Sequence, residues 1–308
     1  MTQLKLGIIG KTSFDFLKYA KVFFIFSALM MVLAISVVAF KGFNWGIDFR
    51  GGIVIDLKAN KSYSLEDINN HVKALNVKDF SIKQFGDNEL QIIISNASLE
   101  GASSVTNLID NLKSQLAEDY TFRQSQFVGP SVSAELIKGG IMAVILSLIG
   151  IFIYVWFRFD WQYGLIGVVT LIWDISMGLL FLSLTYYEFS LSTIAAILTI
   201  LGYSINDTVV IFDQIREDVR KYSKNTVKSI INLSINQVLS RSLSTSITLL
   251  LVLGSIFVFG GDTLRSFSFV LFIGVLFGTY SSICVAAISL AYIGNIRPKI
   301  QKKQKDAV

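Results

Sequence analysis

Six stretches of this sequence, 22–40, 139–157, 163–183, 192–212, 243–259 and 267–293, stay apolar long enough to cross a lipid bilayer. The hydrocarbon layer is matched by about 20 residues of helix. Inside it a chain must satisfy its own backbone hydrogen bonds, which a helix does within one segment. The expected fold class is therefore a polytopic α-helical membrane protein with six transmembrane helices. Composition agrees, with 53% hydrophobic and 16% charged residues. The fifth helix has an open start, because the polar stretch before Leu243 can continue it.

Lys5, Lys11, Lys18 and Lys21 precede the first run, as in a secretory signal. That run exceeds an ordinary signal core and no A-x-A-like site follows, so an uncleaved membrane helix is expected. Residues 41–137 are the only stretch long enough to fold outside the bilayer. Their pattern predicts a strand over 53–57, a helix from Ser64 with Asp67 in capping-box position, and a hairpin of 80–85 and 89–94 around Gly86-Asp87-Asn88. A helix over 103–117 carries Val105, Leu108, Ile109, Leu112 and Leu116 on one face, and a strand over 120–127 follows. The order βαββαβ suggests a small α+β domain of the ferredoxin-like kind. The chain thus divides into a tail (1–21), a first membrane helix (22–40), the α+β domain (41–137), a five-helix membrane domain (138–293) and a basic tail (294–308).

Lys and Arg set orientation. Arg158, the cluster Arg216, Arg220, Lys221, Lys224, Lys228 and Arg241, and the tail residues Arg297, Lys299, Lys302, Lys303 and Lys305 fall on the same side as the N-terminal lysines; Arg265 alone occupies the two short opposite loops. Both termini are expected in the cytoplasm and 41–137 outside it. The net charge of +5 reflects these flanks, so no nucleic-acid partner is expected. The tail can meet anionic membrane lipids, although a solvated flank suffices to explain it.

Little remains for catalysis. Cys284 is the single cysteine and His71 the single histidine, which leaves no disulfide framework and no His-rich zinc or haem site. No phosphate loop and no G-x-S-x-G elbow are present. Neither a metal nor another cofactor is expected, and the chain does not read as an enzyme.

What stands out is charge at membrane depth. Asp207, beside Asn206, interrupts the fourth apolar run, and Asp174 lies near the middle of the third. A carboxylate there costs roughly 2.5–3.5 kcal/mol on the insertion scale, so it is expected to face a bundle interior or a wet path. A functional role is the default reading of such an acid; Gly202 and Ser204 are small enough to admit a neighbouring helix, and a contact that only fixes packing is the alternative. Asp213 and Glu217 read as interfacial charges. Arg241 stands in SINQVLSRSLSTSIT (234–248), a segment whose polar face can line a crevice or bond neighbouring helices; a snorkelling arginine is the alternative. Gly274 and Gly278 form a G-x-x-x-G suited to close packing. Gly46, Gly51 and Gly52 flank Asp48 and Arg50, where a tight turn enters the first strand and the charged pair can be a solvated elbow.

Seven segments in register together resemble the SecD/SecF family of protein-export membrane proteins, within the resistance-nodulation-division superfamily. They are GIDFRGG (46–52), FVGPSVSAEL (127–136), FRFDWQYG (157–164), GYSINDTVVIFDQIRE (202–217), SINQVLSRSLSTSIT, FGGDTLRSF (259–267) and GTYSSI (278–283). The match resembles a separate six-helix member rather than a fused pair. The resemblance implies a SecD partner completing a pseudo-symmetric twelve-helix unit, work with the SecYEG channel on a translocating preprotein, and use of the proton-motive force at the bacterial inner membrane. It also implies proton-linked roles for Asp207 and Arg241. A histidine often precedes the third-helix acid in this family; here Trp173 precedes Asp174. Other readings of the architecture are an exporter subunit for small molecules or lipids and an uncoupled scaffold of the translocon.

Overall fold

The computed structural model describes residues 14–60, 65–74, 80–85, 89–95, 102–116, 119–222 and 225–293. In chain order the elements are α1 (Ala20–Lys41), β1 (Asn44–Trp45), α2 (Ile47–Arg50), β2 (Gly52–Ala59), α3 (Leu65–Ala74), β3 (Phe80–Phe85), β4 (Glu89–Ser95), α4 (Ala102–Leu116) and β5 (Tyr120–Val128). There follow α5 (Pro130–Arg158), α6 (Trp161–Thr185), β6 (Glu188–Phe189), α7 (Leu191–Lys221), α8 (Val227–Phe259), α9 (Gly261–Ser281), a π-helical turn (Ser282–Ala286) and α10 (Ala287–Ile293). The chain forms two compact units: Asn44–Met142 with Glu188–Leu191, and the rest.

The smaller unit is built on a four-stranded sheet in the order β3-β4-β2-β5, with every neighbouring pair antiparallel. Alternation decides its register. Leu90, Ile92 and Ile94 of β4 are buried while the residues between them are partly open, and they pair with Leu57, Ile55 and Ile53 of β2. Ile68 and Val72 of α3, and Leu112 and Leu116 of α4, join the same core. Each pair is spaced i, i+4, so one helical face meets the sheet. Burying each such Leu or Ile fully contributes about 1.5–3 kcal/mol. The expected Gly86-Asp87-Asn88 turn, the Ser64 cap and the Asp67 side chain lie outside the described residues.

A second, two-stranded sheet was not legible in the sequence: β1 pairs in parallel with β6. Strands of two residues carry no periodicity to read. The Gly46 amide donates to Phe189 O at 2.8 Å, and a side chain on Gly46 would meet Glu188. Trp45, Phe49 and Phe189 form an aromatic trio with ring centroids 5.0–5.8 Å apart. After the single helical turn α2, Gly51 and Gly52 take φ of 72° and 136°, which side chains resist. Asp48 is more than a solvated elbow: its Oδ2 accepts from the Leu191 amide at 2.8 Å. Arg50 is exposed.

Six helical segments among the described residues are long and apolar enough to cross a membrane, and the protein is a multi-pass membrane protein. Helix α5 begins ahead of its apolar run, at Pro130, where a missing N–H costs nothing. Helix α8 likewise absorbs the polar stretch before Leu243, starting behind a Thr226 cap whose side chain accepts from the Ser229 amide. The Gly274/Gly278 pair earns its place by proximity: a Cβ on Gly274 would overlap Ile200, and one on Gly278 would stand 3.2 Å from Ser204 Oγ. Residues 200 and 204 share one face of α7, so α9 and α7 meet small surface against i, i+4 side chains. Helix α1 is held by two aromatic donors. Trp173 Nε1 donates to Ser27 O at 2.9 Å and Tyr280 OH to Phe23 O at 3.0 Å.

Candidate functional site

Position on α7 organises the polar interior. Ser204, the pair Asp207 and Thr208, Ile211, Ile215 and Asp218 recur every three or four residues, and all are buried. That spacing puts them on a single stripe. Asp207 is 6% exposed, and the stripe meets α6 at Ser204, α8 at Asp207 and the π turn at Thr208.

Asp174 enters from α6 with no exposed surface. Ser204 Oγ donates to its Oδ2 at 2.5 Å, and the Ser281 hydroxyl is its other polar neighbour. About one turn further along α7, Asp207 lies beside Ser246 of α8. Ser246 Oγ and Thr279 Oγ1 are 2.6 Å apart, and Tyr203 OH donates to Ser246 at 3.3 Å. Thr208 and Ser282 join hydroxyls at 2.8 Å, where the π turn begins. Wide helical turns of this kind recur at functional positions. The result is a string of hydroxyls and two carboxylates through four helices. Asp174 Oδ1, Asp207 Oδ2 and Ser242 Oγ are buried without a hydrogen-bond partner among the described residues. Unsatisfied buried polar atoms are costly in an apolar bundle. Among the described residues, no three His, Cys, Asp or Glu side chains converge as metal ligands would.

Several expected residues lie elsewhere. Gly202 has nothing within 4 Å of where its Cβ would stand, so it does not admit the neighbouring helix; Ser204 does. Two residues at 100° each turn Gly202 to the far side of α7. Asn206 is exposed for the same reason. Arg241 is exposed too, and it joins neither of the ion pairs found among the described residues, Arg123–Glu89 and Arg158–Asp213. The buried stripe of α8 runs through Ser234, Val238, Ser242 and Ser246, and Arg241 is one residue off it. Arg241 is nonetheless near enough for its charge to act on Asp207. Trp173 serves as a donor and apolar partner to α1 beside Asp174.

One buried acid escaped the sequence reading. Asp218, 2% exposed, accepts from Ser234 Oγ at 2.7 Å and from Gln214 Nε2 at 3.2 Å, while Gln214 also donates to Gln237 Oε1 at 2.8 Å. The signal was available: Asp218 continues the spacing of Ser204, Asp207, Ile211 and Ile215. Its charged neighbours Asp213 and Glu217 hid it.

Comparison with known proteins places this geometry. The family described as protein export membrane protein SecD/SecF, C-terminal, matches residues 108–295, and the SecD/SecF GG motif matches residues 36–62. The protein translocase subunit SecF of Rickettsia felis is 40% identical over 93% of this chain and 94% of its own. That of Rickettsia conorii is 41% identical over 90% of this chain and 91% of its own. Among solved structures, SecDF of Thermus thermophilus, a translocon-associated membrane protein, superposes with a TM-score of 0.80 at 35% identity over 91% of this chain. SecDF in its super-membrane-facing form superposes with a TM-score of 0.69 at 32% identity over 96%. This chain spans 38% and 41% of those two SecDF chains.

Proposed function

The chain belongs to the SecD/SecF family of protein-export membrane proteins, and on that premise we propose that it is an auxiliary subunit of the Sec translocase that couples proton movement to preprotein export across the bacterial inner membrane. SecD is its membrane partner, a reading supported by the SecF name of the relatives and by the SecDF chains, of which this chain spans 38% and 41%. SecYEG supplies the channel. Both termini are cytoplasmic, and the sheet-bearing unit lies in the periplasm, where its role is contact with the emerging polypeptide.

The observation that carries the reading is Asp207: a carboxylate on the buried stripe of α7, one oxygen unpartnered, set among hydroxyls from α8, α9 and the π turn. Such a group can take up and give back a proton as helices shift. One proton crossing the membrane delivers about 2.3 kcal/mol per 100 mV. Asp174, joined to the same stripe through Ser204, extends the path. In this reading Arg241 supplies a cation to Asp207 when the helices close and withdraws it when they part.

Vesicles carrying the translocase with its SecD-type partner test this. Asp207→Asn keeps size and hydrogen bonding but cannot titrate, so assembly should persist while proton-driven export falls. Undiminished proton-dependent export by an assembled Asp207→Asn complex would mean that Asp207 only packs helices.

A further inference from the structure

We propose that the cleft between the C-terminal ends of α5 and α7 is a binding site for the phosphodiester headgroup of an anionic phospholipid. Its walls are Arg158, Arg216, Arg220 and Lys221 with Asp213 and Glu217, four cations against two carboxylates. The cleft holds about 510 Å³, within the range of small-molecule sites.

Two of the cations are fixed before any ligand arrives. Arg158 and Arg216 both stand over the Phe159 ring, 5.0 and 5.7 Å from its centroid, and Phe159 is itself buried against Tyr163 and Phe212. Arg216 Nη1 also donates to Arg158 O at 2.8 Å, and Arg158 Nη2 meets Asp213 at 2.9 Å. A guanidinium has five N–H donors, so these contacts orient each fork without exhausting it. Preset forks suit a phosphate, which they bind in pairs of hydrogen bonds.

The surroundings favour a lipid over a free anion. Trp156, Phe157 and Trp161 flank Arg158 in sequence and are 52, 87 and 52% exposed. Tryptophan collects at the depth of lipid headgroups, and exposed apolar side chains there meet acyl chains. Basic clefts between membrane helices at that depth bind anionic headgroups. The site shares no residue with the Asp207 stripe, so this inference stands apart from proton coupling.

The test uses the full chain, extracted in mild detergent with the subunits that accompany it. Native mass spectrometry would follow retention of phosphatidylglycerol and of phosphatidylcholine with identical acyl chains. Preferential retention of phosphatidylglycerol is expected, falling roughly tenfold in Arg216→Ala/Arg220→Ala because two charge-assisted bonds are lost. Lys228→Ala, a cation outside the cleft, should change nothing. Glu217→Gln removes an opposing charge and should raise retention, a gain that misfolding cannot produce. Equal retention of both lipids, an equal loss in Lys228→Ala, no gain in Glu217→Gln, or full displacement of the lipid by inorganic phosphate alone would each overturn the proposal.

Discussion

Ser204 Oγ and Asp174 Oδ2 meet at 2.5 Å between α7 and α6, and the bare Cα of Gly278 on α9 makes room beside them. Three helices thus converge where one hydroxyl, one carboxylate and one glycine coincide. A Cβ on Gly278 would also come within 3.6 Å of the same carboxylate oxygen. The glycine motif, common in membrane helices and mute on function by itself, here sets the distance at which the acid is held.

Ser204→Ala removes the donor that Asp174 Oδ2 accepts from at 2.5 Å. The expected loss is about 1–3 kcal/mol of stability. Thermal unfolding of the detergent-solubilised complex measures it, and Ser204→Thr, which retains the hydroxyl, should lose less. Equal melting of Ser204→Ala and the unmodified chain would show that the bond contributes nothing.

Gly274→Val places a branched side chain where Ile200 already lies. Overpacking of this kind costs typically about 1–3 kcal/mol. A compensating Ile200→Ala should recover most of the loss, since the two changes act on one contact. Failure of the pair to recover any stability would place the close approach elsewhere.

Asp218 and Asp213 are both acids near the end of α7, yet opposite outcomes are expected on removing them. Asp218→Ala removes the buried acceptor that Ser234 and Gln214 share and should lower stability by about 1–3 kcal/mol. Asp213 pairs with Arg158 while 56% exposed, and exposed pairs contribute about 0–1 kcal/mol. Comparable melting shifts for Asp213→Ala and Asp218→Ala would contradict the assignment of Asp218 to the core.

Arg241→Ala should leave folding nearly unchanged, because the side chain is exposed and joins no ion pair among the described residues. Proton-driven export should nevertheless fall, and Arg241→Lys should restore part of it by returning the charge without the fork. Export at the full rate in Arg241→Ala would assign Arg241 to the membrane interface alone.

Topology is open to direct labelling. In a Cys284→Ser background, cysteine at Ser114 should react with an impermeant thiol reagent in intact spheroplasts, and cysteine at Asn225 should not. Lys and Arg on the helix flanks motivate that orientation. Labelling at 225 without labelling at 114 inverts the arrangement.

The sequence by itself determined the six membrane helices and the strands and helices of the four-stranded sheet's layer. Both follow from periodicity: uninterrupted apolar length has one solution in lipid, and alternation at 90, 92 and 94 has one register against β2. It also singled out Asp174 and Asp207, since a carboxylate at membrane depth is conspicuous in any context. Tertiary structure alone decided what those acids meet. Ser204, Ser246, Thr279 and Ser282 are ordinary residues in a linear reading, and only the approach of α7 to α6, α8 and α9 sets Ser204 on Asp174, Ser246 beside Asp207, and Thr279 and Ser282 one hydroxyl further along. The approach also sorted residues that adjacency had grouped: rotation by about 100° per residue left Gly202, Asn206 and Arg241 outside stripes that Ser204, Asp207 and Ser242 occupy. A sequence states which side chains a helix carries; the crossing of helices states which of them share an interior.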